Sequence, residues 1–279
     1  MVVFPNCKIN IGLSIGSKRA DDFHNLSTIF IPIPLTDALE IIPAASSTAK
    51  QVIYSQSGIT IDGNEADNIC VKAYYLLKKD FPMLPAVRLH LHKNIPMGAG
   101  LGGGSADAAF TLQLLNNQFK LNLSNSQLID YSLQLGSDCP FFIINQPCFA
   151  TGRGEILEEL DLDLSAYKIM LINPGIHINT GWAFKQLQLS GTQPAAINFK
   201  EIINEPIETW KALLTNDFEL PVFELYPEIK NIKEVLYSHG ATYAAMSGSG
   251  STIFGIFKKY SIPTIKFPKN YFLKTLQLQ

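Results

Sequence analysis

Residues Pro96-Met97-Gly98-Ala99-Gly100-Leu101-Gly102-Gly103-Gly104-Ser105-Ala106-Asp107-Ala108-Ala109 place five glycines within seven positions, ahead of a serine and small helix formers. Without a Cβ, glycine takes positive φ freely and lets a ligand come close to the backbone. The N–H groups of such a loop can converge on an anion. A helix beginning there adds its own unpaired N–H groups and a dipole end worth roughly half a charge. A phosphate is the simplest ligand for this arrangement. An ordinary turn is an expensive use of five glycines, because each loses extra entropy on folding.

The stretch contains a Gly-x-Gly-x-x-Gly match at Gly98, Gly100 and Gly103. A dinucleotide fingerprint also needs a strand before it, a helix after it and an acid about twenty residues on. Val87–His92 alternates as a strand and Ala106–Leu115 has helical spacing, but the stretch 118–123 carries no acid. The Gly-Lys-Ser/Thr ending of a P-loop is absent, as are the His-Arg-Asp and Asp-Phe-Gly motifs of protein kinases.

Outward from the loop, 279 residues suit one large or two modest domains. A 47% hydrophobic and 16% charged composition supports a real core and argues against disorder. A net charge of −2 with no basic patch argues against nucleic acid as a partner. No run of about 18 apolar residues indicates a membrane span. The start, Met1 to Lys8, lacks the charged leader of a signal peptide, so a cytoplasmic location is expected. Cys7, Cys70, Cys139 and Cys148 are scattered, which suits reduced thiols. Cys139 has no nearby His to activate it. His90 and His92 share a strand face, but two ligands do not make a zinc site.

The first third is β-rich, with strands expected at 7–15, 25–34, 39–42 and 51–61. A helix is expected at 68–79 and another starting at the N-cap Ser124. The apolar run Phe141–Ile144 reads as a strand, and 151–155 as a turn. Tyr167–Asn173 reads as a buried strand, 180–187 as a helix and 188–198 as a polar loop. Helical segments follow at 199–203, 207–215 and 227–239. Ala244–Phe257 reads as strand, Ser-Gly-Ser-Gly-Ser turn, strand. The chain is thus mixed, with two lobes meeting near residue 150.

Three further segments gain meaning beside the loop. Lys8 interrupts the apolar strand 5–13, and a buried cation needs a partner. Asp138 sits in Gly136-Ser137-Asp138-Cys139-Pro140-Phe141-Phe142, where a turn could hold it rigidly. Met246-Ser247-Gly248-Ser249-Gly250-Ser251-Thr252 is a second glycine-rich loop. In this order the segments resemble the three motifs of the GHMP kinase superfamily and span nearly the whole chain. Lys8-Ile9-Asn10, the stretch Lys18–His24, Asp67-Asn68 and the Asp138 segment resemble its branch acting on 4-diphosphocytidyl-2-C-methyl-D-erythritol, in the non-mevalonate route to isoprenoid precursors.

The resemblance implies an α+β, two-lobed GHMP kinase fold. Residues 1–152 would form a lobe like ribosomal protein S5 domain 2, residues 153–279 a ferredoxin-like lobe, with the active site in the cleft between them. It implies ATP as phosphoryl donor, with Mg²⁺ whose ligands are unknown, and a small-molecule acceptor handled by a monomer or homodimer. Asp138 would accept the proton of the attacking hydroxyl, and Lys8 would hold Asp138 and the γ-phosphate. Pro96, Met97, Gly98, Ala99, Gly100, Leu101, Gly102, Gly103, Gly104, Ser105 and Ala106 would wrap the triphosphate, Ser105 near the β-phosphate or the metal. Asn68, Lys93 and Met97 would lie near the adenosine. Phe23 and Phe184 would sandwich the cytosine, His24 would read its edge, and Asn10, Thr180, Ser247 and Gly248 would line the acceptor site.

The chain departs from the branch's pattern at Asp22 (usually Gly), at Phe23 (usually Tyr), and at Ala106 and Asp107, which puts a metal role for Asp107 in doubt. On the residues alone two alternatives stay open. One is a mevalonate- or homoserine-type GHMP kinase, against which the Phe23, His24, Phe184 set speaks. The other is a non-catalytic nucleotide sensor, against which retention of both Lys8 and Asp138 speaks.

Overall fold

The computed structural model describes residues 1–45, 50–189, 198–261 and 263–278. In chain order the elements begin with β1 (Val2–Val3), β2 (Asn6–Lys18), β3 (His24–Thr36), β4 (Ala38–Pro43), β5 (Val52–Gly58) and α1 (Ile69–Asp80). They continue with β6 (Val87–Lys93), α2 (Gly103–Phe119), α3 (Asn125–Leu133), α4 (Cys139–Ile144), β7 (Cys148–Thr151), β8 (Ile156–Glu159) and β9 (Tyr167–Asn173). The last are α5 (Thr180–Leu189), α6 (Phe199–Ile202), α7 (Ile207–Leu213), α8 (Glu219–Leu225), α9 (Pro227–Ser238), β10 (Tyr243–Met246), β11 (Ile253–Lys258) and β12 (Phe272–Gln277). The chain forms two compact units. One comprises Met1–Cys7, Leu35–Met97 and Gly102–Gln146, the other Lys8–Pro34, Gly98–Leu101 and Pro147–Gln279.

The first unit is built on a sheet of order β1-β4-β6-β5, in which β5 runs parallel to β6 and the other pairs are antiparallel. Along β6, Val87, Leu89, Leu91 and Lys93 point inward while Arg88 and His92 are exposed, the period-2 pattern of a half-buried strand. His90 and His92 hydrogen-bond to Ser55 and Ser57 on the outer face, as a surface pair would. Asn68 caps α1 by accepting the Cys70 N–H at 2.9 Å. Ser124 and Gln127 form a full capping box on α3. Helix α2 is flanked by α1 and α4 and buries the small residues Ala106, Ala108 and Ala109 with Leu112 and Leu115.

The second unit holds the sheets β2-β3-β7-β8 and β10-β11-β9-β12. In the latter, β9 pairs antiparallel with both β11 and β12. Its core joins Met170, Ile172, Ile253 and Phe257 to Ile229, Ile232 and Leu236 of α9, with Phe218 and Val222 alongside.

Four expectations change. Phe141–Ile144 is helical, part of α4, not a strand: a short run buried all round has no period to read, Pro140 fits a first helical turn, and Asn145 closes it in the left-handed region. Asp138 therefore stands between two helices rather than between a helix and a strand. Helix α2 starts at Gly103, three residues earlier than the alanine periodicity suggests, because the loop's own glycines form its first turn. Strand β5 stops at Gly58, which turns the chain at φ +78°. Helix α8 and strand β12 carry weak patterns and were not expected; Pro221 sits in the first turn of α8, where its missing N–H costs nothing. Of the expected polar loop at 188–198, residues 190–197 lie outside those described, while Asn198 caps α6.

Candidate active site

In the second unit, Lys8 and Asn10 share one face of β2 and are almost fully buried. Lys8 Nζ donates to Asn10 Oδ1 at 2.6 Å and lies 4.7 Å from the Phe30 ring centroid. Asn10 Nδ2 donates to Thr28 Oγ1 at 3.0 Å. The inward orientation expected of Lys8 is what the strand produces.

Three segments distant in sequence meet at Gly100. Lys8 N donates to Leu101 O at 2.9 Å and Thr252 N to Ala99 O at 3.3 Å. Ser247 Oγ donates to Gly100 O at 2.8 Å and accepts from Asn10 N at 3.2 Å. Gly100 has φ +77°, and a Cβ there would stand 1.9 Å from Ser247 O, so no other residue fits. Gly248 faces Gly100 less tightly, a Cβ there lying 3.3 Å from the Gly100 Cα.

The second loop is held from below by residues that no local sequence pattern singles out. Asn216 Nδ2 donates to both Met246 O and Gly248 O at 2.8 Å. Asn173 Nδ2 donates to Thr252 Oγ1 at 3.0 Å. Lone asparagines in loops carry no periodic signal, so only the fold reveals them.

Thr180 opens α5 and its hydroxyl is 2.9 Å from Ser249 Oγ. His24 lies stacked on Phe184, with centroids 4.9 Å apart and planes 16° apart, and Phe184 meets Phe218 at right angles. His24 thus presents a ring beside Phe184 as well as polar edges. Burial, then the charge of Lys18, depresses its basicity. Phe23 is half exposed. Asp22 makes the turn by adopting φ +65° and pairing with Lys18 at 2.7 Å. Aspartate tolerates this left-handed conformation better than most residues.

In the first unit, Gly102 in the left-handed region leads into α2, whose first turn is Gly103, Gly104 and Ser105. Their N–H groups have no acceptor within the helix. A Cβ at Gly104 would meet none of the described atoms within 4 Å, whereas one at Gly103 would press on Ile95. Ser105 hydrogen-bonds to the Cys139 thiol, which burial pushes up to about 12. That thiol is no nucleophile. Asp138 is half-buried at the start of α4 without spending its carboxylate on the cap.

Lys93, expected near the adenosine, has its ammonium engaged within the protein. Its ammonium is buried between Asp37 and Asp107, 2.8 Å from Asp107 Oδ2. Asp37 Oδ1 also accepts the N–H groups of Asn94 and Ile95, at 2.6 and 2.9 Å. Burial pushes the Asp107 carboxyl up to about 7, even against the pull of Lys93. Asp107 is committed to this cluster, and no group of three or more His, Cys, Asp or Glu that could ligate a metal occurs among the described residues.

Asn68 donates to Tyr54 Oη at 2.9 Å and borders a cavity of about 270 Å³, lined also by Tyr54, Gln56, Ile61, Asn64 and Glu65.

The sequence matches the GHMP kinases N terminal domain over residues 68–152 and the GHMP kinases C terminal domain over 198–265. It is 51% identical over 257 residues to a 4-diphosphocytidyl-2-C-methyl-D-erythritol kinase of Bacteroides fragilis, covering 92% of each chain. The chain belongs to the family of 4-diphosphocytidyl-2-C-methyl-D-erythritol kinases. A relative of the same name from Cytophaga hutchinsonii is 50% identical over 258 residues, again with 92% of each chain covered. A solved 4-(cytidine 5'-diphospho)-2C-methyl-D-erythritol kinase superposes with TM-score 0.76 at 30% identity, over 91% of this chain and 89% of that one. The Methanococcus jannaschii mevalonate kinase superposes with TM-score 0.68 over 94% and 92%, but at 14% identity the likeness is one of fold. No helix among the described residues is long and apolar enough to cross a membrane.

Proposed function

We propose that the residues assembled around the two glycine loops carry out the family's reaction, phosphoryl transfer from ATP to a hydroxyl of 4-diphosphocytidyl-2-C-methyl-D-erythritol. The chain is an ATP-dependent phosphotransferase with an alcohol acceptor, in isoprenoid precursor synthesis. The observation that carries the assignment of residues is the junction at Gly100, where the Lys8 strand, the first glycine loop and the Ser247 loop meet.

Phosphoryl transfer asks the protein mainly for alignment and for compensation of charge. Adenosine enters the cavity beside Tyr54 and Asn68. The open first turn of α2 receives the phosphates, and the bare face of Gly104 leaves room for an oxygen there. The acceptor's cytosine stacks between the Phe23 and Phe184 rings with His24 at its edge, while Asn10, Thr180, Ser247 and Gly248 line its path. Asp138 takes the hydroxyl proton as that oxygen bonds to the γ-phosphorus, the bond to the β-phosphate bridging oxygen breaks, and ADP leaves. Lys8 supplies positive charge to the γ-phosphate. A Mg²⁺ ion bound with ATP would supply charge compensation there, and the Ser105 hydroxyl at the start of α2 would be a residue to hold it.

Residues 1–152 and 153–279 serve as the N- and C-terminal kinase domains, a division that the end of the first family match at 152 supports. The protein works in the cytoplasm as a monomer or homodimer. Mevalonate and homoserine kinases share 11–17% identity with this chain in the superpositions and offer no competing substrate reading. Replacing Asp138 by Asn tests the mechanism. Loss of a general base typically costs about 10²–10⁴-fold in kcat, and a variant with near-native kcat would remove Asp138 from its role.

A further inference from the structure

Phe23 poses a physical problem. It is 49% exposed, and a phenylalanine ring has no hydroxyl by which it could be tied down. An exposed ring that is to stack on a base must be held in advance, or binding has to order it. The turn Thr151-Gly152-Arg153-Gly154-Glu155, which the function does not otherwise use, supplies the hold.

The turn is built to project one side chain. Gly152 and Gly154 have φ +69° and +108°. Gly152 O accepts the Leu26 N–H at 2.7 Å, joining the turn to the strand that follows Phe23. The Glu155 carboxylate folds back beneath it, so that a Cβ at Gly152 would lie 2.6 Å from Oε2. There it accepts the Arg153 N–H and stands 3.8 Å from Arg153 Nε. The Arg153 guanidinium carbon then lies 4.5 Å from the Phe23 ring centroid. From the other side, Arg19 grips Asp21 at 3.1 and 3.2 Å, Asp21 accepts the Phe23 N–H, and Arg19 N donates to Phe23 O at 2.8 Å. Both the backbone and one face of Phe23 are therefore fixed.

We infer that Arg153 is a positioning residue for acceptor recognition: its guanidinium clamps Phe23 by a cation–π contact and leaves the opposite ring face for the cytosine. This rests on the nucleobase role given to Phe23 above. A cation over an aromatic ring at a partly exposed site contributes enough to change affinity about threefold to tenfold.

The test is a double-mutant cycle of Arg153→Ala and Phe23→Ala, read as KM for 4-diphosphocytidyl-2-C-methyl-D-erythritol, KM for ATP and kcat. Arg153→Met, which keeps the aliphatic stem, guards against a packing defect in the alanine variant. The inference expects Arg153→Ala and Arg153→Met each to raise acceptor KM about threefold to tenfold, with kcat and ATP KM near native. It expects neither change to add anything once Phe23 is alanine. Equal effects of Arg153→Ala with and without the Phe23 ring, or a fall in kcat alone, would overturn it while leaving the nucleobase reading intact. An unchanged acceptor KM in Phe23→Ala itself would remove the nucleobase role of Phe23, and the inference with it.

Discussion

Replacing Lys93 by Met removes the ammonium from between two carboxylates that are almost fully excluded from water, since Lys93, Asp37 and Asp107 side chains are 2%, 0% and 3% exposed. Methionine fills most of the volume, so the loss is chiefly electrostatic. Breaking a buried pair by deleting one partner costs about 3–5 kcal/mol, because the charge left behind is uncompensated. Here one carboxylate can escape by taking a proton. Asp107, already pushed up to about 7 by burial, rises further without Lys93. A carboxyl whose folded pKa exceeds its unfolded one favours the fold at low pH, and that advantage is lost as pH rises through the folded value. The destabilisation of Lys93→Met should therefore approach the full 3–5 kcal/mol near pH 8 and shrink toward pH 5.5. Urea unfolding at the two pH values, with m-values compared, reads it directly. A loss below about 1 kcal/mol at pH 8, or one that grows on acidification, refutes the reasoning. The result bears on function too, because Asp37 also anchors the N–H groups of Asn94 and Ile95, which lead into the glycine loop.

Other outcomes follow from the same geometry. Asp107→Asn should flatten the decline in stability between about pH 4 and pH 7 by on the order of 1–4 kcal/mol, since its carboxyl binds its proton more tightly folded than unfolded; an unaltered pH profile of chemical unfolding counts against the burial argument. Phe184→Ala should raise acceptor KM about fivefold or more, the lower end of base-stacking contributions, with ATP KM near native; equal damage to ATP would put that ring in the other pocket. Gly104→Ala should fold at least as stably as the native chain, because helical alanine is favoured by about 0.5–1 kcal/mol, yet should weaken ATP binding measured by calorimetry. Gly100→Ala, by contrast, drives a methyl into Ser247 O and should lower the melting temperature as well.

What the sequence disclosed depended on pattern. The glycine loop, the Lys8 strand and the Ser247 loop are dense local signals, and the fold brings them to one junction. Val87–Lys93 and the Ser124 cap were legible because alternation and capping chemistry act within a few residues. Phe141–Ile144 was misread because four buried apolar residues in a row are compatible with either a strand or a helix, and packing decides. Asn216, Asn173 and Asp37 do their work through partners about 30 to 80 residues away, which no local pattern encodes. Lys93 illustrates the same limit from the other side. Its motif position pointed to the nucleotide, while its ammonium serves two buried aspartates.

Phosphorylation of a cytidyl-bearing alcohol is the activity at stake. It is tested most directly by ADP release from Mg-ATP with 4-diphosphocytidyl-2-C-methyl-D-erythritol, mevalonate and homoserine offered in parallel to the purified protein. Turnover on the cytidyl compound alone is the predicted result. Turnover only on one of the others, or ATP binding with silence on all three, would contradict the claim.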